Sequence, residues 1–139
     1  MSTVEVIDQT AIAQLIDQYF AATQAMDVEA WLSTFADDAI DYDPVGGEPL
    51  QGKAVLAQFF HSIADLFDQI GLFPDFVHIV GHEVAVKWTG RGRGKNGRHI
   101  TFEGIDLFEI NAQGKIQTLK AYWHPAAMVA ELQADGRQV

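Results

Sequence analysis

The chain has 139 residues, 48% of them hydrophobic, no cysteine, and a formal net charge of −10 against only nine lysines and arginines. That length and composition support one globular domain over residues 1–139 with a core of its own, and they exclude disulfides and thiolate metal centres. The acidic balance argues against a nucleic-acid partner, which normally meets a basic surface. No apolar run approaches the roughly 20 residues needed to cross a bilayer. The N-terminus has neither a basic flank nor an apolar stretch, so the expectation is a cytoplasmic protein with no membrane association.

The predicted elements begin with a helix over residues 5–24, where Ile12, Leu15, Ile16, Tyr19 and Phe20 recur at helical spacing. Ser2 and Glu5 stand at capping-box spacing before it. A short second helix follows Asp27, a good N-cap, with Trp31 and Phe35 on one side. The segment DAIDYDP alternates like a strand and is broken by Pro44, Gly46, Gly47 and Pro49. A third helix is expected over 52–71, with Val55, Leu56, Phe59, Phe60, Ile63 and Phe67 as its buried stripe and Gly71 as its stop.

From Asp75 the period changes to two. Residues 76–92 and 99–110 read as two strands joined through Lys95-Asn96-Gly97, a strong hairpin signal. NAQG turns into a last strand over 115–125, ended by Pro125. Three helices followed by an antiparallel meander predict an α+β, cone-shaped fold: helices packed on a curved, mostly antiparallel sheet that encloses a pocket. Gly92, Gly94 and Gly97 match a dinucleotide fingerprint, but a strand follows them where that motif requires a helix N-terminus. Arg91, Arg93, Lys95 and Arg98 therefore read as a solvated hairpin tip. His78 and His82 are four apart, which on a strand separates them by about 13 Å, so no metal site is assigned.

Parity isolates one carboxylate. On the strand 99–110, Phe102, Gly104, Asp106, Phe108 and Ile110 share a face that is apolar except for Asp106. An unpaired charge there costs several kcal/mol; either Asp106 remains protonated and avoids that cost, or the strand bends or lies at an edge and leaves it in water. Asp41 and Asp43 share one face of the first strand, and Tyr19 is the polar-tipped member of the first helix's apolar stripe.

The segments IDQYFAA, FADDAIDYDPVGG, LQGK, LAQFF and GIDLFEINAQGKIQTLKAYW, in that order and spacing, resemble the Δ5-3-ketosteroid isomerase family. That family lies within the nuclear-transport-factor-like, or SnoaL-like, superfamily. The resemblance implies a catalytic set: Asp43 as the general base moving a proton between C4 and C6 of a steroid, Tyr19 and Asp106 as oxyanion-hole donors. An aspartic acid kept neutral by an apolar site is the established case in ketosteroid isomerases, so this role comes to Asp106 by resemblance. Phe35, Phe60, Leu119 and Trp123 are the expected substrate-contacting residues, and neither a cofactor nor a metal is implied. The chain departs from the family at Phe35 and Phe60, where tyrosines often support the oxyanion tyrosine, and at Asp41, where an apolar residue is usual. If Asp41 lies beside Asp43, their repulsion raises the pKa of one of the pair. The resemblance further implies a hydrophobic small-molecule substrate, a steroid or related enone. It also implies a homodimer formed through an outer sheet face that includes some of Ile105, Leu107, Ile116 and Tyr122. A SnoaL-type polyketide cyclase and a non-catalytic small-molecule-binding member of the superfamily are the alternatives.

Overall fold

The computed structural model describes residues 8–134. Within them, four helices pack with one six-stranded sheet: α1 (Gln9–Ala25), α2 (Val28–Leu32), β1 (Phe35–Tyr42), β2 (Leu50–Gln51), α3 (Lys53–Ala64), β3 (Phe67–Val80), β4 (Glu83–Gly94), β5 (His99–Ile110), β6 (Ile116–Tyr122) and α4 (Pro125–Gln133). The strands run in the order β2-β1-β6-β5-β4-β3. Every pairing is antiparallel except β1 with β6. This is the expected α+β architecture, with one more helix than the sequence suggested.

α1 starts later than residue 5, because Asp8 has a non-helical backbone and caps the helix by accepting from Thr10 N at 3.0 Å. Ser2 and Glu5 lie outside the described residues. The buried stripe Ile12, Leu15, Ile16, Tyr19 and Phe20 faces the sheet as its spacing dictates. Asp27 caps α2 by accepting from Ala30 N. Phe35 does not belong to that helix; it opens β1 and packs edge-on against Trp31 at 4.7 Å between rings.

Two expectations fail between residues 65 and 92. α3 ends at Ala64, so Phe67 and Gly71 belong to β3 and not to a helix. A short apolar run fits either period, and pairing decides it: Phe67 lies opposite Gly94 and Gly71 opposite Arg91. Gly71 is needed for close approach, since a Cβ there would stand 2.9 Å from the Cα of Gln24. That contact, with Leu72 N donating to Thr23 Oγ1 at 3.0 Å and Gln24 Nε2 to Leu72 O at 2.9 Å, pins α1 across the sheet. In α3 only Leu56 is fully buried; Phe59, Phe60 and Ile63 are half-buried and Val55 is exposed. The expected strand over 76–92 is two strands, reversed at Gly81-His82 with Gly81 at φ 58.

The hairpin at Asn96-Gly97 forms as expected, with Gly97 at φ 83. Pro125 does end the last strand's run, but it does so as the first residue of α4. Met128 and Leu132 of α4 bury against Phe67, Ile70 and Ile100, a second core beside the main one. Asn96 Nδ2 donates to Leu132 O and Arg98 Nε to Glu131 O, tying α4 to the hairpin. On the outer sheet face Ile105, Leu107 and Tyr122 are exposed, whereas Ile116 is fully buried and takes no part in that face.

Candidate active site

The register of three neighbouring strands sets the site. Asp106 on β5 lies opposite Ala121 on β6, and the β1–β6 pairing Tyr42↔Lys120 brings the next residue, Asp43, level with that same alanine. Asp43 and Asp106 thus flank a small side chain from alternate strands, with backbones roughly 10 Å apart. Asp41 falls one pair deeper, level with Leu119 and Phe108. The inward face predicted for β5 is observed: Gly104, Asp106, Phe108 and Ile110 are buried and Phe102 is half-buried, while Thr101, Glu103, Ile105, Leu107 and Glu109 are exposed.

Above this floor lies a cavity of about 80 Å3, lined by Tyr19 and Thr23 from α1, Trp31 from α2, Phe59, Phe60, Ile63 and Ala64 from α3, and Ile70, Gly71 and Leu72 from β3. Asp43, Trp88, Phe102, Asp106 and Trp123 complete it. Tyr19, Asp43 and Asp106 therefore share one apolar chamber, together with Phe60 and Trp123. Phe35 and Leu119 lie in the core behind it and do not line it. Among the described residues, no lysine, arginine or histidine lines it.

Aromatic rings reach the floor because glycines make room. A Cβ on Gly104 would overlap the Trp88 ring and stand 2.9 Å from Trp123 Cβ. Trp88 and Trp123 meet edge-on at 6.1 Å, and Phe102 stacks on Trp123 at 5.8 Å. Sequence reasoning did not place Trp88 at the site. Its signal was available in the parity of β4, which sets it on the buried face with Val84 and Val86, and in the missing side chain opposite it at Gly104.

Charge inside this chamber is controlled by burial and by two indole donors. Asp106 is 1% exposed, and burial, then the nearby Asp43, raises its pKa well above the usual carboxylate range, with the Trp88 indole pulling the other way. The Trp88 indole adjoins the Asp106 carboxyl, yet neither its N–H nor Asp106 Oδ2 closes a well-formed hydrogen bond. Asp43 is half-buried; burial raises its pKa, while the neighbouring Asp41 carboxyl and the Trp123 N–H lower it. The Trp123 bond is short, Nε1 donating to Asp43 Oδ1 at 2.6 Å. Tyr19 is 3% exposed, and burial followed by the Asp106, Asp43 and Asp41 carboxyls keeps its hydroxyl protonated, moderated by the Trp31 indole. Its ring is held edge-on by Phe20 at 4.9 Å and Phe108 at 5.1 Å.

The buried side-chain atoms without a hydrogen-bond partner, among the described residues, are Asp41 Oδ1 and Oδ2, Trp88 Nε1 and Asp106 Oδ2. All of them sit on this floor. Buried polar groups are normally satisfied, so their concentration here marks a site with unmet hydrogen-bonding capacity. Chemically, the chamber offers one carboxyl held by an indole, a second carboxyl whose burial favours the protonated form, and one phenol, in surroundings where electrostatic interactions are strong.

The family model for the SnoaL-like domain matches residues 16–119. A steroid Δ-isomerase of Nocardioides simplex is 26% identical over 121 residues, covering 87% of this chain and 93% of the relative. Among solved structures, SalBIII, an epoxide hydrolase/cyclase-like enzyme of pyran ring formation in the polyether salinomycin, superposes with a TM-score of 0.76 at 22% identity, over 86% of this chain and 95% of its own. A candidate polyketide cyclase from Xanthomonas campestris pv. campestris gives 0.76 at 20% identity, over 89% and 98% of the two chains. These two likenesses establish the shared fold.

Proposed function

Starting from the chain's membership of the SnoaL-like domain family, we propose that it is a steroid Δ-isomerase-like enzyme, moving a carbon–carbon double bond into conjugation with a ketone. The observation that carries this reading is Asp106, a carboxyl buried in an apolar chamber with one oxygen unpartnered, facing the same space as the Tyr19 hydroxyl and Asp43. A β,γ-unsaturated ketone bound with its oxygen between Tyr19 and Asp106 presents its acidic carbon to Asp43. The Asp43 carboxylate takes a proton from that carbon, and the electron pair moves through the alkene and carbonyl to give a dienolate. Its oxygen gathers the negative charge, which the phenol and the neutral acid stabilise by donating hydrogen bonds. Asp43 then returns the proton to the γ-carbon, so atoms and charge balance without a co-reactant. Trp123, donating to Asp43 Oδ1, keeps the base ionised before the transfer and holds it at the cavity wall. Phe60, Phe102 and Trp123 offer apolar contact to the substrate.

The enclosed volume accommodates the ketone end of such a substrate, and the rest of a four-ring steroid would extend through the mouth. This small volume favours a second reading: a SnoaL-type cyclase that uses Asp43 to deprotonate an activated carbon of a smaller polyketide. Exposed Ile105, Leu107 and Tyr122 support a homodimer through the outer sheet face. The test is conversion of 5-androstene-3,17-dione, followed by the ultraviolet absorbance of the conjugated product. Asp43→Asn is expected to abolish turnover while leaving steroid binding intact, and Tyr19→Phe to lower kcat about 100–1,000-fold with little change in KM. Unaltered turnover in Asp43→Asn removes the base assignment.

A further inference from the structure

Asp41 has no role in the reaction just described. It lies on β1 two residues before Asp43, which directly follows that strand, is 0% exposed, and does not line the cavity. Among the described residues neither of its oxygens has a donor. Leu50 and Leu119 lie opposite it on the flanking strands. An ionised carboxylate in that position would be a bare charge between leucines, a loss no folded domain of ordinary stability absorbs without a partner. The nearest polar side chain along its own segment is the Asp43 carboxyl, two residues on and lining the cavity, and two carboxyls bond only when one of them carries a proton.

Which one carries it follows from the remaining contacts. Asp43 receives the Trp123 N–H at 2.6 Å, lines the cavity and is only half-buried, so it is the better place for the negative charge. The other titratable groups facing the pair are Asp106 from β5 and Tyr19 from α1, and burial raises the pKa of both, which favours their neutral forms. Among the described residues, α2, α3, β2, β3, β4 and β6 contribute no titratable or charged side chain to the lining. We infer that Asp41 is a positioning residue: from a neutral carboxyl it donates a hydrogen bond to the Asp43 carboxylate, which together with Trp123 holds the base at the end of β1 and weakens its affinity for the proton.

This rests on Asp43 being the base of the proposed reaction, but the charge state of the pair can be read without any substrate. The experiment is a carboxyl titration by NMR on protein labelled with 13C-aspartate, for wild type, Asp41→Val and Asp41→Asn, beside the pH dependence of kcat/KM for 5-androstene-3,17-dione. In wild type the Asp41 signal is expected in its protonated position at pH 7, with Asp43 ionised. Valine removes the donor at similar volume, so the Asp43 midpoint rises by about one to two pH units, a tenfold to hundredfold gain in proton affinity, and the acid limb of kcat/KM rises with it. Asparagine retains an N–H donor and holds the midpoint near the wild-type value. An ionised Asp41 at pH 7, or an Asp43 midpoint that stays or falls in Asp41→Val, overturns the inference. A raised midpoint in a protein that never converts the steroid supports the place given to Asp41 and counts against the isomerase reading alone.

Discussion

Replacing Asp106 by asparagine tests whether a neutral acid lies at the heart of this fold, and the readout is stability. Asp106 is 1% exposed and its pKa is raised well above 3.8 by burial, then by Asp43. In the unfolded chain the same carboxyl ionises near 3.9. Below that value both states carry the proton and burial of the neutral acid incurs no ionisation penalty. As pH rises, the unfolded state alone loses its proton, so stability falls by about 1.4 kcal/mol per pH unit until the folded-state pKa is reached. Each pH unit over which the folded protein keeps that proton therefore removes a substantial share of a typical domain's 5–15 kcal/mol. Asparagine has nearly the same volume and does not titrate. Urea denaturation of wild type and Asp106→Asn at pH 5, 6 and 7 should therefore show the wild type losing more stability than the variant as pH rises, by up to about 1.4 kcal/mol per unit. Groups remote from Asp106 titrate alike in both proteins and cancel in the difference. Parallel pH dependences would mean that Asp106 ionises in the folded protein as it does in water, and the neutral donor would be lost from the mechanism.

Trp123→Phe preserves the apolar wall but removes the indole donor 2.6 Å from Asp43 Oδ1. The bond favours ionised Asp43, so its loss should raise that residue's pKa and move the acid limb of the kcat/KM profile to higher pH; an unmoved limb would leave the indole with a packing role only. Gly104→Ala places a methyl group against the Trp88 ring and Trp123. Expected is a loss of about 1–3 kcal/mol in urea denaturation together with a change in tryptophan fluorescence, and a variant as stable as wild type would show that the two rings can move aside.

Much of the candidate site was readable before any coordinates because the signal was a conflict between pattern and chemistry. Period two along residues 99–110 sets Asp106 among Phe102, Phe108 and Ile110, and alternation in β1 pairs Asp41 with Asp43. Helical spacing similarly commits Tyr19 to the buried stripe of α1. These are consequences of local geometry, in which side chains repeat at 3.6 or 2 residues whatever surrounds them. The same reasoning failed between residues 65 and 81, where a short apolar run satisfies both periods and only pairing with β4 chooses a strand. It also missed α4, whose two buried residues mean little until Phe67, Ile70 and Ile100 meet them. Tertiary structure alone decided the meeting of Trp123 with Asp43, 80 residues apart, the seat of Trp88 over Gly104, and the burial of Asp41 without a donor. Local spacing assigns a side chain to a face, but its neighbours on that face are set by strand order and register, which form only when distant segments close on one core.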